Sequence, residues 1–184
     1  MARLLLALML LLAGSGLAQQ YHPQQEGYSW TYTNGETQTM SGPRDFNGQQ
    51  VMVLTHWLHG DAVSEDYLVY APEGVLHVGT AAGGNVLSYN PPLLAYGPGP
   101  FQPGTQWQSS ARLSGMDLTM SAEVLGTAGV ETPAGRFNAL QIRQVTVTST
   151  GGQTVLDAYF VPSVGVVRYV LQDGTVINLL EKNF

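Results

Sequence analysis

Apolar and polar residues alternate along most of this chain in short runs, and Gly or Pro separates nearly all of the runs. Alternation with a period of two is typical of β-strands, because successive side chains of a strand point to opposite faces. After the N-terminal leader, no amphipathic helix longer than one or two turns can be recognised. The candidate strands outside two hairpins are residues 51–57, 67–70, 75–78, 86–89, 105–113, 117–125, 137–148 and 154–161.

Two dipeptides, Asn34-Gly35 and Asp173-Gly174, mark the hairpins. A two-residue type I′ turn needs positive φ at both positions, which Asn-Gly and Asp-Gly tolerate. The first turn then places Thr33 opposite Glu36. In this register an aromatic face carries Tyr28, Trp30 and Tyr32 beside Thr37, Thr39 and Ser41, and a polar face carries Ser29, Thr31, Thr33, Glu36, Gln38 and Met40.

The second hairpin, in which Gln172 pairs with Thr175, carries apolar side chains on both faces. One face carries Val167, Tyr169, Leu171, Val176 and Leu180, and the other carries Val166, Val170, Ile177 and Leu179 beside Arg168 and Glu181. A sheet with water on one side alternates more cleanly than this. We therefore expect a second layer, a loop or a ligand to cover this hairpin.

A proline-rich stretch, residues 90–104, interrupts the strand pattern, because prolines do not fit a central strand. It contains Leu93, Leu94, Tyr96 and Phe101, which are too apolar for a solvated linker. We predict an ordered crossover packed on the domain.

The pattern Gln-x-Gly-x-x-Trp occurs on both sides of this crossover, at residues 25–30 and 102–107. Each copy opens a run of strands, which suggests two half-repeats, 24–100 and 101–184. Three matches in six positions are a weak signal, and a common Gly-turn-Trp strand entry explains them equally well.

The first 18 residues have the layout of a secretory signal peptide. Arg3 precedes the apolar run 4–12, and the small residues Gly16 and Ala18 fit the positions before a cleavage site. The run is too short to span a membrane. We predict a signal peptide at 1–18, a single β-domain at 19–184, no membrane span and a periplasmic or extracellular location. The chain has no cysteine, which excludes a lipoprotein anchor after the cut and any disulfide.

The formal charge of the 184 residues is −6, and it becomes −7 without Arg3. A negatively charged surface repels the phosphates of nucleic acid, and we predict no nucleic-acid partner. Only 11% of the residues are charged, so Thr, Ser, Gln and Gly supply much of the polar surface. This composition favours strands and turns over helices.

No catalytic or metal site stands out. His56 and His59 are three residues apart, with Asp61, Glu65 and Asp66 behind them, but they lie on opposite faces of a strand unless the chain turns at Leu58. Ordinary surface histidines are the favoured interpretation. No serine elbow and no thiol is present for nucleophilic catalysis. Carboxylates are available, but nothing in their local sequence selects a glycosidase pair. We predict no metal, no cofactor and no enzymatic activity.

Aromatic residues are the other candidate site. Tyr28, Trp30 and Tyr32, with Trp57 and Trp107, could form a platform for stacking sugars. We favour core packing, because aromatics bury the most area in a small core.

Two segments resemble a broad group of uncharacterised, exported bacterial envelope β-proteins. They are Pro133-Ala134-Gly135-Arg136-Phe137, a turn leading into a Phe-led strand, and residues 159–169, Tyr-Phe-Val-Pro-Ser-Val-Gly-Val-Val-Arg-Tyr. The opening residues 27–32, Gly-Tyr-Ser-Trp-Thr-Tyr, are similar to the usual start of that group. The group looks related to half-barrel envelope proteins, some of which carry lipids or lipoproteins. The resemblance implies a β-fold with an apolar concave face, and it implies no particular activity.

These observations predict an all-β, mainly antiparallel single domain, curved into a sandwich or a partly open barrel. For function we predict an exported, non-enzymatic protein that binds a lipid or another apolar small molecule between the curved sheet and the crossover, or that serves as a scaffold. The predicted ligand-binding residues are Leu93, Leu94, Tyr96, Phe101 and Tyr169. The alternatives are a structural or interaction module that meets another envelope protein, and a hydrolase of envelope polysaccharide.

Overall fold

The computed structural model describes residues 21–184, so the predicted signal peptide lies outside the described residues. In this part of the chain, twelve antiparallel strands form one closed barrel. This confirms the predicted all-β, single-domain fold and shows that the curved sheet closes on itself. Among these residues, no helix has the length and apolarity needed to cross a membrane.

The strands follow one another with short connections. In chain order they are β1 Ser29–Tyr32, β2 Glu36–Phe46, β3 Gln49–Leu58, β4 Asp61–Ala71, β5 Gly74–Ala82, β6 Asn85–Tyr96, β7 Gln106–Leu113, β8 Met116–Thr132, β9 Gly135–Thr148, β10 Gln153–Val161, β11 Gly165–Leu171 and β12 Val176–Lys182.

Each strand pairs with its neighbours in the chain, and β1 closes the barrel by pairing with β12. The junction of β6 with β7 is the thinnest part of the ladder, with Tyr89 paired to Leu113 and Asn90 to Arg112. In this up-and-down arrangement successive turns alternate between the two ends. The β1–β2, β3–β4 and β5–β6 turns lie at one end, called here the Asn34 end. The β6–β7 connection and both chain termini of the described part lie at the other, the Phe101 end.

Both predicted hairpins exist, but their registers differ from the prediction by one residue. In the first, Thr31 pairs with Thr37, so the turn comprises Thr33, Asn34 and Gly35, with Gly35 at φ 84°. In the second, Leu171 N–H bonds to the carbonyl of Thr175, and Gly174 also has φ 84°. Three-residue loops with a left-handed glycine replace the expected two-residue turns.

The shift in register overturns the predicted faces of the first hairpin. Since side chains alternate, a shift of one residue moves a whole strand face to the other side. Trp30 and Tyr32 therefore share the barrel interior with Gln38 and Met40, and not with Thr37 and Thr39.

The proline-rich stretch is shorter than predicted, because β6 continues through residues 90–96. Pro91 and Pro92 fall where the ladder to β5 is interrupted, between the pairs Gly79 with Ser88 and His77 with Leu93. Proline is tolerated there, since no ladder hydrogen bond requires its missing N–H.

The remaining connection, residues 97–105, packs at the Phe101 end together with the first described residues. The ring of Phe101 is buried and stacks on Trp107 with centroids 5.0 Å apart. The Phe101 N–H donates to the Tyr21 hydroxyl, and the Ser163 N–H donates to the Tyr21 carbonyl. The N-terminal segment and the connection thus close this end of the barrel together.

The two Gln-x-Gly-x-x-Trp segments have the same local geometry. Gly27 (φ 85°) donates its N–H to the Met40 carbonyl, and Gly104 (φ 86°) donates its N–H to the Val124 carbonyl. In each segment the residue after the glycine also bonds back to the glutamine carbonyl. A repeated turn geometry is established at these positions, whereas the half-repeats as whole units stay a prediction.

Candidate functional site: the barrel interior

The barrel encloses a cavity of about 280 Å³. Every strand except β7 and β12 contributes to its wall, together with His22 and Pro23. The apolar part of the wall comprises Trp30, Met40, Leu54, Leu68, Val75, Leu93, Ala95, Met120, Leu156, Phe160 and Val166. Four tyrosines also line the cavity, Tyr32, Tyr70, Tyr96 and Tyr169. An apolar cavity with a few polar groups is the usual form of a small-molecule site.

Strand alternation explains how the wall is built. In β4, Asp66, Leu68 and Tyr70 line the cavity, so Tyr67 points to the opposite face of the sheet. There it stacks on Phe46 with ring centroids 4.3 Å apart. The outer face therefore has its own packing, and the inner face remains available to the cavity.

A cluster of two carboxylates and two histidines lies along the wall from the Asn34 end towards the middle of the barrel. His56 Nδ1 lies 2.7 Å from Glu36 Oε1, and His56 Nε2 lies 3.0 Å from Asp66 Oδ2. His77 Nε2 lies 3.5 Å from the same oxygen of Asp66. We call these four residues the acid–histidine cluster.

The electrostatics of the cluster keep His56 protonated at neutral pH. Burial opposes its protonation, but the hydrogen bonds to Asp66 and Glu36 outweigh burial and raise the pKa of His56 to about 9. Burial likewise opposes ionisation of Asp66, yet hydrogen bonds from His56 and His77 hold its pKa well below the usual range. The hydrogen bond from His56 lowers the pKa of Glu36 as well. An imidazolium thus bridges two carboxylates.

Neighbouring polar groups complete the hydrogen bonding of this cluster. Gln38 Nε2 donates to Glu36 Oε1 at 2.8 Å, and Thr80 Oγ1 donates to Asp66 Oδ1 at 3.3 Å. Neither carboxylate has the raised pKa that a general acid needs at neutral pH. The cluster therefore provides a polar, ionic section of the cavity wall that can orient a ligand.

His22 is a second polar group of the wall, at the Phe101 end. Only 5% of the residue is exposed, and its Nε2 has no hydrogen-bond partner among residues 21–184. Burial lowers the pKa of His22 to about 4, although a hydrogen bond with the Gly97 backbone opposes this effect. The ring is consequently neutral at neutral pH.

The structure separates the five predicted ligand-binding residues into two groups. Leu93, Tyr96 and Tyr169 line the cavity. Leu94 and Phe101 do not, since Leu94 packs beside the core and Phe101 is buried against Trp107. The wall of the cavity is mainly the barrel itself, and not the crossover that the sequence suggested.

The aromatic residues of β1 belong to both the core and the cavity wall. Trp30 and Tyr32 are 4% and 2% exposed, and the Tyr32 hydroxyl donates to the Val166 carbonyl at 2.9 Å. Tyr28 stacks on the Phe184 ring, with centroids 3.8 Å apart, and meets the Trp30 ring edge to face at 6.3 Å.

The two histidines that were weighed as a metal-binding pair, and judged to be ordinary surface histidines, have different environments. His59 lies exposed in the β3–β4 turn, whereas His56 is partly buried beside Glu36 and Asp66. Among residues 21–184, no group of three or more His, Asp and Glu is placed to hold a metal ion. His22, Glu36 and His77 were not singled out from the sequence, because their partners come from other strands.

Comparisons with known proteins report similarity of fold. No protein-family model matches the chain, and no curated protein sequence matches it. A crystal structure from Bacteroides fragilis, of a protein described as exported and as having a YmcC-like fold, aligns with a TM-score of 0.50 and 14% identity over 89% of this chain and 99% of that chain. A crystal structure of a protein described as a lipoprotein, from Parabacteroides distasonis, has a TM-score of 0.44 and 14% identity over the same shares. At 14% identity, the first similarity supports the fold and nothing beyond it.

Proposed function

We propose that this protein is an exported, non-enzymatic binding protein that holds a small, mostly apolar molecule inside its barrel. The observation that carries the proposal is the cavity of about 280 Å³, with apolar and tyrosine walls and an ionic cluster along one section. Such a combination suits an amphipathic ligand, whose apolar body contacts the wall while a polar group is oriented by the cluster.

The volume of the cavity limits the size of the ligand. At roughly 30 Å³ for a water-sized group, it accommodates about nine such groups. A complete phospholipid is much larger. The proposed ligand is therefore a small amphiphile, or one end of a longer chain that extends through an opening of the barrel.

Export rests on the N-terminal sequence and on resemblance. Residues 1–18 have the layout of a secretory signal peptide, and the solved structure with the higher TM-score belongs to a protein described as exported. The motifs at residues 133–137 and 159–169 resemble those of exported envelope β-proteins, a group that looks related to half-barrel proteins, some of which carry lipids or lipoproteins. We place this protein in the periplasm or outside the cell.

The absence of catalysis is part of the proposal. A polysaccharide hydrolase needs one carboxylic acid that stays protonated beside one carboxylate. Glu36 and Asp66 flank His56, and the pKa of each is lowered by its hydrogen bonds, so neither suits the role of general acid. The remaining alternative is a structural or interaction module, which requires no ligand in the barrel.

The test is native mass spectrometry of residues 19–184, purified from the native host, with and without denaturation. The expected result is a small molecule that stays bound under native conditions and leaves on unfolding. Uptake of indene, an uncharged hydrocarbon of matching size, is then measured by calorimetry on the ligand-free protein.

Two variants separate binding in the cavity from binding elsewhere. Leu156→Trp adds volume at a partly buried position that lines the cavity, and it is expected to abolish indene binding. Leu180→Trp makes the same change at a position that is 45% exposed and is not part of the wall, and it should bind like wild type. The proposal would be refuted if the native mass equals that of the polypeptide alone and the wild-type protein takes up no indene. The interaction module would then be the better explanation.

A further inference from the structure

His22 occupies a fixed position in the wall of the cavity. Its ring lies among four aromatic rings. The centroid distances are 5.2 Å to Tyr21, 5.4 Å to Tyr96, 5.7 Å to Phe101 and 5.3 Å to Phe160. The preceding residue, Tyr21, is tied to both Phe101 and Ser163 by hydrogen bonds. The orientation of the imidazole is therefore determined by packing before any ligand arrives.

The hydrogen bonding of this ring is incomplete on one side. Nε2 is buried without a partner among the described residues, while a hydrogen bond with the Gly97 backbone engages the ring on its other side. A ring nitrogen that donates to a backbone carbonyl carries the proton of the neutral imidazole. Nε2 is then left with a lone pair, so it is a hydrogen-bond acceptor.

An unpaired acceptor in an apolar cavity is unfavourable, and native proteins satisfy nearly all such groups. Among residues 21–184, Nε2 of His22 is the buried side-chain polar atom that has no hydrogen-bond partner. The Phe101 end of the cavity thus has one lining residue, His22, with an unsatisfied acceptor. The carboxylates of the acid–histidine cluster, in contrast, are already paired with His56.

We propose that His22 is a ligand-binding residue whose Nε2 accepts a hydrogen bond from a hydroxyl or N–H group of an uncharged, mostly apolar molecule held in the barrel. This inference rests on the proposed function and specifies the ligand class. The donor is uncharged because no carboxylate among the residues that line this end could compensate a buried cation. The ligand therefore resembles a small alcohol, phenol or aromatic N–H compound.

The experiment uses indole and indene, which have the same shape and differ in that indole has an N–H donor. Calorimetric titrations are made with wild type and with His22→Phe, which keeps an aromatic ring and removes the acceptor. Tyr21→Phe serves as the control, because it perturbs the same closing segment without changing a residue of the wall. Thermal unfolding verifies that all three proteins are folded.

The expected result is a selective effect. His22→Phe should weaken indole binding on the order of tenfold and leave indene binding unchanged, since only indole satisfies Nε2. Tyr21→Phe should change both affinities equally. In wild type, indole and not indene should move the ¹⁵N resonance of His22 Nε2.

Two other outcomes have distinct meanings. If both compounds bind and His22→Phe changes their affinities equally, a resident water satisfies Nε2; this inference is then overturned while the proposed function stands. If neither compound binds to wild type, the cavity does not admit molecules of this class, and both proposals are overturned.

Discussion

The dependence of folding stability on pH tests the acid–histidine cluster directly. The pKa of His56 is about 9 in the folded protein, against an ordinary value of 6.5. Because the folded pKa is the higher one, the stabilising effect is complete below pH 6.5 and is lost as the pH rises through 9. The difference between a pKa of 6.5 and one of about 9 corresponds to about 3 kcal/mol in the free energy of unfolding, at about 1.4 kcal/mol per pKa unit.

The perturbation is His56→Gln, followed by urea unfolding at pH 6 and pH 9.5. At pH 6 the variant should be less stable than wild type by about 3 kcal/mol, because Glu36 and Asp66 lose their shared cation. At pH 9.5 most of this difference should disappear, since wild-type His56 is then largely neutral. His59→Asn is the control, at an exposed turn residue with φ 54° that asparagine tolerates.

The refuting result is a difference between wild type and His56→Gln that is the same at both pH values. Such a difference would mean that His56 contributes by packing and neutral hydrogen bonds. A pH-dependent difference of equal size in His59→Asn would also contradict the reasoning, because that residue lies outside the cluster.

Three further predictions use the same unfolding assay. The pKa of His22 is about 4 when folded, below the ordinary 6.5, so stability should fall by about 3 kcal/mol as the pH drops from 6.5 to 4, and His22→Phe should remove this loss. Gly79→Ala should cost about 1–3 kcal/mol, because its Cβ would lie 2.5 Å from the Phe46 ring; Gly126→Ala, with no atom within 4 Å of the new Cβ, should be nearly neutral. Tyr32→Phe should cost about 1 kcal/mol, since it removes a buried hydrogen bond to a β11 carbonyl; an unchanged urea midpoint would contradict this.

The fold class was predictable because it depends on local signals. Period-two alternation and turn residues mark the strands wherever they occur, and the turns at Asn34-Gly35 and Asp173-Gly174 were located correctly. The lengths of these two turns were predicted wrongly, because Asn-Gly fits both a two-residue loop and a three-residue loop that ends in a left-handed glycine. Closure of the barrel was also beyond local sequence, since β1 and β12 are separated by most of the chain.

The candidate site was predictable only in part. Three of the residues selected from the sequence, Leu93, Tyr96 and Tyr169, line the cavity. Leu93 and Tyr96 were selected because they belong to an apolar, proline-rich stretch. Tyr169 was selected because its hairpin carries apolar side chains on both faces. Glu36 was assigned to a wet face, since the expected turn was one residue too short. His22 precedes every strand, so no periodicity points to it, and its burial follows from the way the terminus packs on Phe101 and Phe160.

The acid–histidine cluster could not be predicted from the sequence, because its members lie on four different strands. Glu36 is two residues from Gln38, which pairs with His56, and Asp66 pairs with Leu54, two residues from His56. His77 pairs with Leu68, two residues from Asp66. Every contact of the cluster is thus a diagonal cross-strand pair, close enough for long side chains to meet.

This geometry makes the cluster dependent on the register of three successive strand pairs. A slip of one residue in any pair would turn a charged member to the other face and leave its partner unpaired in the cavity wall. Removing one partner of a buried ion pair is strongly destabilising, so alternative registers are penalised more heavily here than in an apolar wall. The cluster therefore contributes to specifying the pairing of β2 to β5 in addition to forming part of the cavity wall, and both roles follow from placing the same three charges on one face.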